Sequence, residues 1–318
     1  MVVVTIQFMK QKMMRKVFYA LIPLILAGTY FYGLRVLILL TLVSSVAVCV
    51  EWIFVRKTTK KISEAIFITS ILYTLTLPPR IPYWIALVGI IFGVLFGKMV
   101  FGGFGKNPFN PALVGRAFIY VSFPHFMTVE WANPIRETLG GFSTYSVDAI
   151  SQATPLLLYR STGTLLPYNT LLMGNVAGSI GETSAILILF AALYLLWTNT
   201  ASKETTFSVL IGFLLTDAAL YYAGFSQIPP PFYGLLAGGL LFGAVFMATD
   251  PISSPRTKEG KIVYGLLIGC IAVIIRGFAL FAGGIMFAIL IGNTFAPIID
   301  EAVKYIKKQR RGRGESNA

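Results

Sequence analysis

The chain has 318 residues, of which 56% are hydrophobic and 12% charged, and its mean hydropathy is +0.76. Soluble domains carry roughly a quarter charged residues, so a soluble class is excluded, and apolar runs of ~20 residues rather than ~10-residue alternating segments exclude a transmembrane β-barrel. The net charge of +13 at pH 7 would suggest nucleic acid in a soluble protein, but here the basic residues cluster at the ends of apolar runs, where they set topology and meet lipid headgroups.

The expected fold class is therefore an all-α polytopic membrane protein. The N-terminus carries Lys10, Lys12, Arg15 and Lys16 and runs straight into apolar sequence with no small-residue cleavage site. This reads as a retained first helix and not a signal peptide. Ten spans are predicted, near 17–33, 35–55, 62–78, 82–101, 111–125, 183–199, 205–223, 231–248, 262–278 and 282–304. Lysine and arginine crowd one set of connections (Arg56 to Lys61, Lys98 to Lys106, Arg256 to Lys261, Lys304 to Arg313) and are sparse in the other. The rich side is cytoplasmic, which puts both termini inside and the 126–182 segment outside. The organisation predicted is 1–125 as a first membrane repeat, 126–182 as an external loop, 183–305 as a second membrane repeat and 306–318 as a basic, disordered cytoplasmic tail.

Two pairs of turns hint at the repeat. Leu77-Pro-Pro-Arg-Ile-Pro82 follows the third span and Ile228-Pro-Pro-Pro231 the seventh; Lys106 to Pro111 follows the fourth and Ala248 to Pro255 the eighth. They are read as marks of two inverted five-helix units, an arrangement that builds midplane sites in transporters.

Cys49 and Cys270 both lie in apolar segments, so neither a disulfide framework nor a four-ligand metal site is expected from this chain. His125 is the only histidine and has no clustered ligands around it. Among acidic residues only Asp217 falls deep in a span, and intramembrane carboxylates often mark ion paths; a structural carboxylate paired with a hydroxyl or amide is the alternative. In Phe101-Gly-Gly-Phe-Gly105 and the following Lys106, Asn107 and Asn110, glycines allow close approach of a ligand and asparagine amides suit a flat heteroaromatic ring. The same stretch also reads as a plain turn with Pro111 opening the next helix. Thr249 and Asp250 form the matching turn, where Asp250 suits an Asx-turn or a ligand ring N–H. In the longest polar interruption, Asp148-Ala-Ile-Ser151-Gln-Ala153-Thr154-Pro-Leu reads from composition alone as an exposed turn.

Taken together these motifs resemble the family of membrane subunits formed by RnfD of the Rnf complex and NqrB of the sodium-pumping NADH:quinone reductase. Gly105 to Phe118 matches GKNxxNPALxGRAF, Phe246 to Pro255 matches FMATDPxSxP, Tyr264 to Gly269 matches YGxxIG, and Gly284 to Asp300 matches GxxFAxLxxNxFAPxID. The family's D-x-x-S/T-G-A-T motif carries FMN through a phosphoester on its last threonine. Asp148, Ser151, Ala153 and Thr154 fit it, with Gln152 in place of the usual glycine. The resemblance implies covalent FMN at Thr154 on the outer face. It also implies a non-covalent riboflavin on the cytoplasmic side, with Lys106, Asn107, Asn110, Thr249 and Asp250 as candidate contacts. The first span begins near residue 17, which resembles the Rnf branch. The implied role is then a flavin-carrying relay subunit, in the cytoplasmic (inner) membrane, of an ion-translocating ferredoxin:NAD oxidoreductase complex that is inactive alone. Its implied partners are a second covalent-flavin subunit, iron–sulfur subunits, a flavin transferase and lipid. The alternatives are NqrB of the quinone reductase, or a channel or transporter on the same inverted-repeat fold. No strand–GxGxxG–helix unit argues for NAD binding by this chain.

Overall fold

The computed structural model describes residues 7–58, 60–135, 139–147, 153–182, 184–279 and 283–315. In chain order the elements are β1 (Gln7–Met9), α1 (Lys12–Tyr32), α2 (Arg35–Val55), β2 (Lys61–Ser63), α3 (Ala65–Leu75), α4 (Tyr83–Val94), α5 (Pro111–Ser122), α6 (Pro124–Thr128), α7 (Pro155–Thr162), α8 (Tyr168–Met173), α9 (Ala185–Trp197), α10 (Lys203–Tyr222), α11 (Pro231–Leu236), α12 (Leu240–Phe242), α13 (Lys258–Phe278) and α14 (Gly284–Glu315). The only strands among the described residues are β1 and β2, which pair in parallel with Phe8 beside Ile62. The chain is an all-α, multi-pass membrane protein.

Helix length sorts the spans into a shell and an interior. Among the described residues five helices are long and apolar enough to cross a bilayer: α1, α2, α10, α13 and the first 27 residues of α14. Each leaves more than half of its apolar window uncovered by protein, as lipid-facing helices do. The others are too short. α3 has 11 residues, about 16 Å at 1.5 Å per residue, against ~30 Å of hydrocarbon. All of its residues but Phe67 are buried. Short helices and irregular backbone are tolerated at membrane depth only where protein or a cavity surrounds them; α3 and α5 meet that condition by packing inside the shell, whereas α9 exposes Leu189, Phe190, Leu193 and Trp197.

Each predicted span has a helical counterpart, with differences at the ends. The third loses its first residues to β2 and its last to the turn at 76–82. The eighth is broken into α11 and α12, because Gly238 and Gly239 both take positive φ, which glycine adopts at little cost. The tenth does not stop near 304; α14 continues to Glu315, since lysine, arginine and glutamine are good helix formers. The expected disordered tail is helical to that point. The 126–182 segment is likewise not a plain loop, for it carries α7, α8 and a short 3-10 turn at Gly140–Phe142.

Two helix pairs pack through glycine. On α13, Gly265 and Gly269 form a GxxxG face against α10, and a Cβ on Gly265 would meet Ser208 Cβ at 2.7 Å and Thr205 O at 2.8 Å. On α4, Gly89 and Gly93 face α5, where a Cβ on Gly93 would stand 3.0 Å from Gly115 Cα. Small residues let membrane helices approach closely where no hydrophobic effect drives them together.

The fourth and eighth spans end alike. α4 runs into a π-helical turn at Leu95–Met99 and α12 into another at Gly243–Met247, closed by Val100 N–H to Leu95 O (2.9 Å) and Ala248 N–H to Gly243 O (2.8 Å). Such turns often mark functional positions. The paired motifs of the sequence follow them directly.

Candidate functional site

The two paired turns meet at one cavity. It encloses about 710 Å³ of empty space, part of it continuous with solvent, and its wall includes Lys98, Asn107, Asn110, Thr249 and Asp250. Ligand sites are mostly apolar with a few placed polar groups, and Met14, Val17, Leu72, Phe104 and Phe246 supply the apolar part. Of the candidate contacts named from sequence, Lys106 stands apart: it is exposed and outside the cavity wall.

The side chains of Asn107, Asn110, Thr249 and Asp250 are each held locally. Asn110 caps α5, its Oδ1 accepting from Ala112 N–H at 3.0 Å. The Asn107 amide donates to Phe109 O at 3.1 Å. Thr249 Oγ donates to Val245 O at 2.6 Å. Asp250 folds the Asx-turn expected of it, accepting from Ile252 N–H (3.1 Å) and Ser253 Oγ (3.0 Å). Burial pushes the Asp250 carboxyl above the usual carboxylate range, against the opposing pull of those two hydrogen bonds and Lys98.

Two constellations here were not foreseen from sequence. Lys98, in the first π-turn, is 2% exposed and bonds Glu51 Oε2 at 2.7 Å and Ser63 Oγ at 2.6 Å. Ser63 in turn holds Glu51 Oε1 through its N–H and hydroxyl. Neither partner is near Lys98 in sequence, so no local pattern announces the triad; the available signal was a lysine and a glutamate placed inside apolar runs. The second is Asn293 on α14. It accepts from Asn110 N–H at 3.3 Å and donates to Ser253 O (3.1 Å) and Tyr264 Oη (2.7 Å), so it fastens both turns together.

A second cavity contains Thr154. It encloses about 760 Å³, and Arg116, Tyr120, Trp131, Ser179, Glu182 and Gly239 share its wall. Thr154 is buried and is the N-cap of α7, its Oγ accepting from Leu157 N–H at 3.4 Å, with Pro155 opening the helix. A helix N-terminus presents N–H groups and a partial positive charge suited to phosphate. Arg116 bonds Glu182 Oε1 at 2.9 Å, while its buried Nε has no partner. The aromatic walls, the helix terminus and this orphaned donor fit a flavin with its phosphate on Thr154. Ala153 is exposed beside it. Asp148 and Ser151 lie outside the described residues.

The two cavities are joined by α5. Asn110 and Pro111 line the first and Arg116 and Tyr120 the second, so six residues, about 9 Å of helix rise, separate Asn110 from Arg116. The α12 segment makes a parallel link, from Gly239 in the second cavity to Phe246 in the first. Asp217 is buried on α10 beside a third, smaller cavity. Among the described residues no group of three or more His, Cys, Asp or Glu is placed to hold a metal ion.

Residues 4–309 match the family model described as the NQR2, RnfD, RnfE family. The chain is similar to proteins named as the B subunit of the Na(+)-translocating NADH-quinone reductase. The Azotobacter vinelandii protein is 39% identical over 273 residues, covering 82% of this chain and 65% of its own length. The Yersinia pestis protein is 37% identical, with 80% and 63% covered, and that of Chromohalobacter salexigens 39%, with 82% and 63%. The chain thus spans a little under two thirds of the length of these relatives. With the match running through nearly all of its residues, the chain belongs to the NQR2, RnfD, RnfE family.

Proposed function

We propose that this chain is a flavin-carrying electron-relay subunit of a membrane-bound, ion-translocating oxidoreductase complex. The observation that carries the reading is the pair of cavities at opposite ends of α5, one holding the buried N-cap Thr154 and the other the two asparagine and aspartate turns. The names of the relatives weigh the branch toward NADH:quinone reductase and away from the Rnf-type complex expected from the position of the first span.

A flavin supplies one- and two-electron redox chemistry, and the protein supplies binding, orientation and electrostatics. In the outer cavity Thr154 Oγ would bear the phosphoester, where the α7 N-terminus and the nearby Arg116 favour negative charge. Tyr120 and Trp131 give the cavity apolar, water-excluding walls. In the cytoplasmic cavity Asn107, Asn110, Thr249 and Asp250 are the candidate contacts of a non-covalent riboflavin. Lys98 is fixed there by Glu51 and Ser63. The α5 helix lines both sites within one chain, with Asn110 in the wall of one and Arg116 in the wall of the other. Placement of both termini in the cytoplasm and Thr154 outside follows from the lysine and arginine bias. Neighbouring redox subunits, lipid and a flavin transferase are the partners this reading requires.

The experiment is flavin analysis of the chain purified from its native host. Non-covalent flavin is released by denaturation and counted, with Asn110→Ala and Asp250→Ala beside the wild type. The reading expects one released riboflavin, reduced at least several-fold in both variants. Absence of released flavin would remove the cytoplasmic site. The branch is decided by the electron donor of the intact complex, NADH for the quinone reductase and reduced ferredoxin for the Rnf type.

A further inference from the structure

Asp217 is 2% exposed, and its Oδ2 has no hydrogen-bond partner. Leaving a buried carboxylate oxygen unpaired is costly. It lines a cavity of about 370 Å³ together with Leu156, Arg160, Gln227, Ile228 and Arg276. Asp217 is five residues from the α10 end at Tyr222, about 8 Å of rise, and the 227–229 loop closes the cavity at that end.

The surrounding donors exclude a metal cation. Arg276 on α13 donates to Gly234 O and Gly238 O, Tyr159 on α7 donates to Ile228 O, and Arg160 on α7 donates to Gly277 O and Ala279 O. The carbonyls that would complete a cation's shell are already engaged, and a guanidinium stands among them. Other charged or titratable groups in this neighbourhood are Tyr221 on α10, Tyr233 on α11, whose hydroxyl donates to Pro155 O, Cys270 on α13, which accepts from Thr216 Oγ, and Glu182 beyond Arg276. A proton, which needs no shell, is the one cation the site accepts.

The site is also wired to the Thr154 cavity. Leu156, two residues from Thr154, belongs to both walls. Arg276 grips Gly238 of the Thr154 cavity with one nitrogen while its buried Nε is unpartnered. Negative charge arriving in the Thr154 cavity draws on the same guanidinium that stabilises ionised Asp217.

We propose that Asp217 is a proton-binding site at the outer end of α10, linked through Arg276 to charge in the Thr154 cavity. Water at the outer face supplies the proton, which binds the carboxylate to give the neutral acid. The linkage, but not the proton site, rests on the flavin reading above.

The test is infrared difference spectroscopy of the full chain with its cofactors in nanodiscs. In a pH series, a protonated-carboxyl C=O band that titrates and shifts in D2O is expected. It should be lost in Asp217→Asn and displaced in Asp217→Glu, which keeps the fold if the first variant does not. Arg276→Gln should move its midpoint to higher pH. A spectrum without such a band, or a band indifferent to both Asp217 variants, overturns the site. A band displaced by sodium at fixed pH overturns the exclusion of other cations. On reduction with dithionite, bleaching of flavin absorbance with growth of the band supports the linkage, and bleaching without growth overturns it. No bleaching at all counts against the flavin reading and leaves the pH series to judge Asp217.

Discussion

The side chain of Asn293 accepts a hydrogen bond from the backbone N–H of Asn110 at 3.3 Å, across 183 positions of sequence. Its amide reaches Ser253 O and Tyr264 Oη, so one side chain holds the two turns of the Asn110–Asp250 cavity in register. Asn293→Ala leaves buried groups without partners, at about 1–3 kcal/mol. The expected result is a lower Tm in detergent and a loss of riboflavin retention; an unchanged Tm would show that the turns hold themselves.

Lys98 and Glu51 make a buried pair at 2.7 Å. Removing one partner of such a pair typically costs about 3–5 kcal/mol, while replacing both by apolar residues is often neutral. Lys98→Met and Glu51→Leu should each lower Tm strongly, and the double variant should recover most of the loss. Additive losses in this double-mutant cycle would mean that the pair is not coupled.

The glycine face of α13 predicts a steric effect. Gly269 packs against Val209 O and Phe213 N on α10, and overpacking a tight interface costs about 1–3 kcal/mol or more. Gly269→Leu should reduce the monodisperse fraction in size-exclusion chromatography, more than the change Leu266→Met on that helix. Equal behaviour of the two would contradict the close approach.

At the N-terminal end of α3, Glu64 bonds Arg15 and the Gln11 N–H. The Arg15 hydrogen bond, then that from Gln11, hold its carboxyl below the usual carboxylate range. A depressed carboxylate stabilises the fold above its unfolded pKa of about 4.3 and ceases to do so as pH falls through the lower folded value. Hydrogen exchange of residues 7–11 should therefore accelerate as pH falls below ~4 after correction for intrinsic rates, and Arg15→Gln should move that onset to higher pH.

The sequence disclosed the fold's membrane character because apolar runs near 20 residues have one main physical outcome. It disclosed the paired turns because proline, glycine, asparagine and aspartate act locally. It did not disclose which spans are short. A continuous apolar run such as 62–78 looks like a full crossing, and only the packing of the long helices around α3 shows that 11 residues suffice there. The break at Gly238 and Gly239 was hidden because both glycines are compatible with a helix until the backbone is seen in positive φ. The contacts of Lys98 with Glu51 and Ser63, and of Arg116 with Glu182, join residues 35 to 66 positions apart, where no periodicity reports proximity. Thr154 was legible only as part of a motif; its burial and its cap of α7 came from structure.

The central claim is that Thr154 carries a flavin. Its most direct test is intact mass with in-gel flavin fluorescence under denaturing conditions, on wild type, Thr154→Ala and Thr154→Ser purified from the native host with its flavin transferase present. The account predicts a mass gain of one FMN less one water on the wild type, fluorescence that survives denaturation, and loss of both in Thr154→Ala. A bare wild-type chain, or an adduct that persists in Thr154→Ala, would contradict it.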